Sequence, residues 1–509
     1  MKDIQSSTRR WWILGVLALS LLVIGLDMTV LNLAMPALAE DLQATTSQLQ
    51  WFANAYNLVL AAMLLPAGLF GDRFGSKKVL LTALLLFGGA SVACALAGDA
   101  GFLIAARAVL GLGAALMMPV SLSMLSVLFT DEERPKAMRI WVTATALGMP
   151  LGPILGGWLL DRYAWGSIFW INVPIVAIAL VAVAILLPRG RGSDRIKADV
   201  PGMLLSGGGL AALTYGVTRS GDKGWGDPGT IVFVLVSILL LAAFVWRQRK
   251  AAHPLVRLEL FREPRFAWGA SLATLVNCAM FGVLFGLPLF FQAVNGVNSQ
   301  TTGLRILPLI GGLIVGAQLS GKLAARLGDK AIVGIGFLLM AVGLGLGALT
   351  DVSTGYGYIA FWVALGGVGI GFALPAAMDA ALGALPPGSS GVGSALTMAM
   401  RQVGGTLGVA LLGAILNAAY RGGLQTAQVP GEAAEAMRAN VTAGIAVAKQ
   451  MKSADLLAAV QSAFASGMDA MLWASGGIAI LGLLLTMAFL KNRKKASSSS
   501  ETNVPANMA

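Results

Sequence analysis

The stretch Gly68-Leu-Phe-Gly-Asp-Arg73-Phe-Gly75-Ser-Lys77 has a counterpart 253 residues further on, Gly321-Lys-Leu-Ala-Ala-Arg326-Leu-Gly328-Asp-Lys330. Gly, Arg, Gly and Lys recur at the same spacings, and each copy closes a long apolar run with a small, basic turn. Two further pairs follow the same offset loosely. Gly111-x-Gly113 with Pro119 corresponds to Gly369-x-Gly371 with Pro375, and Gly148-xxx-Gly152 to Gly404-xxx-Gly408. Duplicated halves embedded in apolar sequence are the architecture of secondary transporters, whose substrate site lies between the halves near the bilayer midplane. The offset exceeds six spans by about one helix pair, assigned here to the seventh and eighth spans.

Composition agrees with this. Of 509 residues 57% are hydrophobic and only 12% charged, against about 25% charged in soluble domains. The 64 glycines follow no collagen period and sit inside apolar runs, where small residues let membrane helices approach closely. About 20 apolar residues in helix cross the bilayer core. Runs of that kind begin near Trp12, Leu49, Val79, Phe102, Met138, Ile168, Gly202, Thr230, Phe266, Gly303, Ala331, Tyr356, Gly391 and Met468. The expected fold is therefore an all-α polytopic membrane protein of 14 transmembrane helices. Its parts are an amino-terminal six-helix bundle over residues 1–198, an inserted helix pair with a basic loop over 199–256, and a carboxy-terminal six-helix bundle over 257–495. An external helical loop is expected over about 420–466, too polar to span with Glu432, Glu435, Arg438, Lys449, Lys452 and Asp455 in it, and a disordered tail over 496–509.

The net charge of +12 does not point to nucleic acid, because the basic residues lie in short connections between apolar runs. With the amino terminus inside, 26 of the 36 basic residues face the cytoplasm, as the positive-inside bias requires. Arg107, Arg305 and Arg401 instead lie within or at spans. Both termini are thus expected on the cytoplasmic side of an inner membrane, and no cleavable signal peptide is read. Cys94 and Cys278 fall inside spans and read as small hydrophobes, and the single histidine, His253, lies in a basic loop. No zinc motif or nucleophile–base arrangement is visible, so an enzyme is not expected. The run Gly316-xxxx-Gly321-Lys322 lacks the Ser/Thr of a phosphate loop and no strand precedes it.

Ionisable groups at membrane depth are costly and read as functional. Asp27 lies in the first span, where burial disfavours its charged form and suits it to load and release a proton or to meet a cation. Arg107, in the first turns of the fourth span, can stabilise a nearby carboxylate. Asp379, one turn past Pro375, is a candidate intramembrane partner for Arg401. These make Asp27, Arg107 and Asp379 the coupling candidates. Asp72 and Arg73 at the end of the second span are candidate gating residues. So are Gly148, Gly152, Pro153 and Gly156, in a fifth span whose composition permits bending and tight sealing against the other half. Candidate substrate-cavity residues are Asn32, Asn54, Asn57, Met117, Met118, Phe281, Phe285, Phe290, Gln292 and Arg401.

On these residues the sequence resembles the major facilitator superfamily, and within it the fourteen-span drug:proton antiporters. Leu26-Asp27-Met-Thr-Val-Leu-Asn32-Leu-Ala-Met-Pro36 is similar to that family's first-helix signature, and Gly68 to Lys78 to the superfamily's loop between helices two and three. Arg107 with Gly111 and Gly113 is similar to the fourth-helix signature, associated with proton transfer. Gly148 to Gly157 is similar to the fifth-helix motif associated with export. The resemblance implies proton-driven efflux of small amphipathic compounds, with Asp27 as a proton or cation site, no cofactor beyond a proton gradient, and a monomer in the lipid bilayer. A proton symporter or uniporter for a small metabolite is the alternative. One departure is plain. Where some relatives that export quaternary cations carry acidic residues, this chain has Thr397, Met398, Arg401 and Gln402. That disfavours dications and leaves neutral, anionic or monocationic substrates open.

Overall fold

The computed structural model describes residues 7–490 apart from 43, 45, 131, 161, 188–198, 252, 253, 255, 257, 386–389, 425–428, 430 and 440. The tail over 496–509, His253 and the basic residues between 188 and 198 lie outside the described residues.

The described chain is helical throughout. Its first bundle comprises α1 (Ser7–Asp41), α2 (Thr46–Phe74), α3 (Ser76–Ala95), α4 (Ala100–Leu128), α5 (Arg134–Leu160), the single turn α6 (Ser167–Trp170) and α7 (Asn172–Leu186). Then come α8 (Val200–Lys223) and α9 (Pro228–Lys250). The second bundle comprises α10 (Pro264–Leu289), α11 (Ser299–Gly347), α12 (Tyr356–Leu382), α13 (Ser390–Gly423), the short α14 (Gly431–Ala439) and α15 (Val441–Gln450), and α16 (Ala454–Phe489). Among the described residues thirteen helical segments are long and apolar enough to cross a bilayer, α11 supplying two of them. Helix α5, over Arg134–Leu160, adds to these thirteen. Its 27 residues reach about 40 Å and pack along α1, which makes it the fourteenth. An even number of spans places the start of α1 and the end of α16 at one end of the molecule, called the terminal end below.

The repeat read from the sequence is also a repeat of backbone shape. Gly75, before α3, has φ +88°, and Gly328, which breaks α11, has φ +80°. They are the equivalent glycines of the two copies, and both adopt the left-handed region that residues with a Cβ rarely enter. Each lets one span stop and the next start without an intervening loop. Lys77, in the same turn, donates to the carbonyls of Ala184 and Leu187 at 2.7 and 2.6 Å, so one lysine also closes the carbonyl-rich end of α7.

Glycines set the closest helix approach. A Cβ on Gly148 of α5 would lie 2.7 Å from the Leu26 nitrogen and 2.8 Å from the Gly25 carbonyl carbon of α1, and one on Gly25 would lie 2.8 Å from the Thr145 oxygen. Gly152 and Gly156 continue the same face against Thr29 and Val30. The α5 glycine face therefore seals against α1 of its own bundle, not against the opposite half as the composition alone suggested. The proximity of the two backbones leaves no room for side chains at these positions.

The inserted helices pack on each other, and α8 also packs on α2 and α13, bridging the bundles along one flank. Asp199 caps α8 and binds Arg247 of α9 at 2.8 Å and Gln248 at 2.9 Å. Burial pushes this carboxyl up, but those hydrogen bonds outweigh it and hold it below the ordinary aspartate range. The polar segment expected over 420–466 is shorter than its composition suggested. Only α14 and α15 form separate short helices, while α13 continues to Gly423 and α16 starts at Ala454. Hydropathy marks where α16 becomes apolar, whereas the helix begins where the Ser453 side chain accepts from the Leu456 amide at 3.2 Å.

Gly148→Ala should lower unfolding stability in detergent micelles by about 1–3 kcal/mol through overpacking. Gly15→Ala, where an added Cβ meets nothing within 4 Å, should leave stability unchanged. Equal effects of the two would contradict a steric seal between α1 and α5.

Candidate functional site

Asp27 and Arg107 are fully buried, with 0% and 2% exposure. The Arg107 guanidinium donates from Nη1 to Asp27 Oδ2 at 2.6 Å and from Nε to the Phe52 carbonyl of α2 at 2.9 Å. It also lies 4.7 Å from the centre of the Tyr56 ring, a cation–π distance. The backbone of α4 reaches this position because Gly111 faces α2 and Gly113 faces α3. A Cβ at Gly111 would stand 3.0 Å from the Tyr56 Cα, and one at Gly113 2.9 Å from the Phe87 nitrogen. On the other side Asn172, which opens α7, donates to Asp27 Oδ1 at 3.4 Å and to the Ser91 hydroxyl at 3.3 Å. The Tyr56 hydroxyl and Asn172 Oδ1 have no partner among the described residues. The result is an ion pair inside the first bundle, tied to α1, α2, α3, α4 and α7, with spare hydrogen-bonding capacity. Such a network is costly to leave half-satisfied and can settle in more than one arrangement.

Asp27 does not face the space between the bundles, so in this conformation it cannot touch a substrate there. Its neighbours on α1, Ile24, Gly25 and Met28, do line a central cavity of about 60 Å³. That cavity is walled by α1, α2, α4 and α5 on one side and α10 to α13 on the other, with methionines Met28, Met118, Met280 and Met398 around it. Arg401 of α13 lies at its wall, 9% exposed. Phe281 and Gln402 join this cavity to a cleft of about 660 Å³ that runs along α8, α10 and α13 past Asn57 and Phe285 to Arg421 and Trp225. The cleft therefore widens toward the end opposite the termini. Of the other cavity candidates, Met117 is buried within the first bundle at 1% exposure, its neighbour Met118 taking the lining position. Phe290 is fully buried. Gln292 is exposed in the π-helical turn Phe290–Val294. Asn54 is half-buried and lines neither space. The side chains of Asn32 and Pro153 lie outside the described residues.

The terminal end is closed by contacts between bundles. Arg134, the first residue of α5, donates to Asp379 Oδ1 of α12 at 2.6 Å, both being buried. Asp72 of α2 accepts from the Val392 amide of α13 at 3.2 Å. Arg139 of α5 reaches across to Gly321 of α11, its guanidinium lying where a Cβ would otherwise stand. The expected Asp379–Arg401 pair is thus not formed. Asp379 is three residues from the end of α12, whereas Arg401 is eleven residues into α13. At 1.5 Å per residue they sit at depths differing by roughly 12 Å. Arg73 lies over the Phe74 ring beside it, at 5.4 Å.

Two bundles with matching kinked glycines, a cavity between them, and closure at one end only make the arrangement of an alternating-access carrier. A model of the Major Facilitator Superfamily matches residues 17–409.

The chain belongs to the major facilitator superfamily.

As a member it is a multi-pass membrane transporter and not an enzyme. Over 98% of its length it is 31% identical to the tetracenomycin C resistance and export protein of Streptomyces glaucescens, of which it covers 95%. Over 91% it is 32% identical to the multidrug efflux pump LfrA of Mycolicibacterium smegmatis, covering 93% of that protein. Among solved structures it superposes on the proton:xylose symporter XylE with a TM-score of 0.60, at 16% identity and covering 96% of this chain and 97% of that one. That likeness shows the shared superfamily fold.

Three functional-site residues escaped the sequence reading. Arg134 resembled one more topology-setting charge, and only the fold reveals Asp379 opposite it. Asn172, which the sequence reading passed over, bridges Asp27 and Ser91. Asn277, a buried amide in the middle of α10, was a legible signal, since an amide at membrane depth needs a partner. Its partner is Arg401, which donates to Asn277 Oδ1 at 3.3 Å.

Arg107→Met strands a carboxylate in an apolar bundle and should cost about 3–5 kcal/mol in micelle unfolding experiments. The double substitution Asp27→Leu with Arg107→Met should recover most of that loss. A double variant as unstable as the single one would show that the pair is not the source of the cost.

Proposed function

We propose that this protein exports amphipathic drugs or other toxic small molecules across the cytoplasmic membrane in exchange for protons, as a monomer with both termini in the cytoplasm. The observation that carries the coupling is the Asp27–Arg107 pair. A carboxylate held by the Arg107 guanidinium, with Asn172 more distant at 3.4 Å, lets go of that guanidinium when it takes up a proton, and the arginine then keeps the Phe52 carbonyl and the Tyr56 and Phe169 rings. The drug specificity rests on the resistance and export relatives and on the methionine-rich cavity, since flexible thioethers repack around ligands of different shape. The orientation rests on the concentration of basic residues at the terminal end. No cofactor takes part, and the proton gradient supplies the driving force.

Proton and drug occupy different places on this reading. Asp27 faces the interior of the first bundle, while Ile24, Gly25 and Met28, on the adjoining face of the same helix, line the cavity. Protonation therefore acts on substrate through α1 itself. A neutral Asp27 loosens α1 from α4, and because α1 and α5 are locked by their glycines, α5 must follow. Helix α5 carries Arg134 and Arg139 at the terminal end, so a change at Asp27 reaches the contacts that close that end. Drug and proton then compete for one equilibrium without sharing a binding site, which is coupling through two states of a common element.

A pump-deficient bacterial host expressing the protein should survive higher doses of a subset of dyes, antibiotics and biocides. Everted vesicles acidified inside should accumulate the compound giving the strongest protection, and Asp27→Asn should reduce that accumulation to the level of empty vesicles while the protein remains in the membrane. Full gradient-driven accumulation by Asp27→Asn would exclude Asp27 as the coupling group, and no protection by any compound would remove the export reading.

A further inference from the structure

The two bundles carry opposite electrostatic designs. In the first, the arginine at membrane depth has a carboxylate at 2.6 Å. In the second, Arg401 is likewise buried, at 9% exposure, and has none among the described residues. Its Nη2 donates to Asn277 Oδ1 at 3.3 Å, and its Nη1 lies 3.5 Å from the Met378 sulfur and 3.8 Å from the Met398 sulfur. Its Nε is buried without a partner, and the guanidinium carbon is 6.0 Å from the Trp141 ring centre across the bundle interface. A neutral amide, two thioethers and a ring face at 6.0 Å compensate a full charge poorly, and burying a cation without an anion is unfavourable. Asn277 is itself fixed, because its amide donates to the Arg401 carbonyl at 3.2 Å. The guanidinium is thereby held at the cavity wall with donors to spare.

From this geometry we infer that Arg401, with Asn277, forms an anion subsite of the central cavity, and that the transported compounds are amphipathic molecules bearing one acidic group such as a carboxylate or an ionised phenol. The inference rests on the export reading and narrows its substrate class. An anionic group supplies the missing countercharge, and a guanidinium with a free Nε and Nη edge suits the two oxygens of a carboxylate. The apolar remainder of the ligand meets Met28, Met118, Met280 and Phe281, and Phe281 and Gln402 lead from there into the wider cleft. A permanent cation placed in the same cavity faces an uncompensated like charge, which makes cationic drugs the poorer ligands. Asp27 does not alter this, because its charge is already taken by Arg107 inside the first bundle.

The test uses three probes with one aromatic body: 1-pyrenebutanoic acid, 1-pyrenebutanol and a pyrenebutyl-trimethylammonium salt. Their binding to the full-length protein in lipid nanodiscs is followed by energy transfer from tryptophan to pyrene. The wild type should bind the acid about tenfold or more tighter than the alcohol, as one charge-assisted contact allows, and the ammonium probe most weakly. Arg401→Gln should bring the acid-to-alcohol ratio near one, and Arg401→Lys should restore part of it. Gel filtration of both variants reports whether they fold, and the lysine variant keeps the test decisive if glutamine disturbs packing. Equal affinities for acid and alcohol in the wild type, or an undiminished acid preference in Arg401→Gln, would overturn the subsite. Failure to bind any of the three probes would overturn the proposed substrate class. The export reading is judged separately, since protection of the host by neutral or cationic compounds leaves export standing while removing the anion assignment.

Discussion

The Asp27–Arg107 ion pair is the constraint to which the rest of the first bundle is fitted. Taking two charges out of water costs several kcal/mol each, and only a close, hydrogen-bonded geometry offsets it. That geometry draws in α2 through the Phe52 carbonyl, α7 through Asn172 and α3 through Ser91. It also requires α4 to lie unusually close to α2 and α3, which explains glycine at positions 111 and 113. A further set of glycines presses α5 against α1, so the helix holding the carboxylate also holds the helix that starts with Arg134. The charged pair in the interior and the salt bridge to Asp379 at the terminal end are thus mechanically linked through bare backbone contacts, with few flexible side chains in between.

The second bundle repeats the backbone but not the charges. Gly328 reproduces the conformation of Gly75, and Gly404 and Gly408 press on Thr274 and Cys278 of α10 as Gly148 and Gly152 press on α1. The buried arginine of this bundle, Arg401, lies on α13, the counterpart of α5 rather than of the α4 that carries Arg107, and has no carboxylate partner among the described residues. Duplication therefore preserved the elements that must move while allowing the two halves to specialise, one around an acid–base pair and the other around a cation open to the cavity. On the proposed reading these are the proton half and the substrate half of one carrier.

Much of the fold was legible because membrane helices announce themselves. Hydropathy located the spans, the Gly-Arg-Gly-Lys repeat located the duplication, and the scarcity of charges at depth singled out Asp27, Arg107 and Arg401. What the sequence could not supply was rotation about each helix axis. Met117 and Met118 are equally apolar, and only packing decides that Met118 faces the cavity. The same ambiguity left open whether Asp27 meets a cation in the cavity or a partner within its own bundle, and in the structure it meets Arg107. Depth was the second gap. Asp379 and Arg401 looked like partners on charge alone, but one lies near the end of α12 and the other well inside α13, and Asp379 meets an arginine that seemed to serve topology only. Gln292 misled for a third reason: it belongs to the irregular turn that ends α10, where apolar sequence no longer implies a bundle-facing helix.

The central claim is that a proton on Asp27 and a drug in the cavity oppose each other across α1. Infrared difference spectroscopy of the reconstituted protein observes that proton directly, through the stretching band of a protonated carboxyl group that Asp27→Asn removes. The band should grow as the pH is lowered and shrink when a transported compound is added at constant pH. A carboxylate that stays ionised over the whole pH range in which transport operates, or a band indifferent to the compound, would contradict the claim.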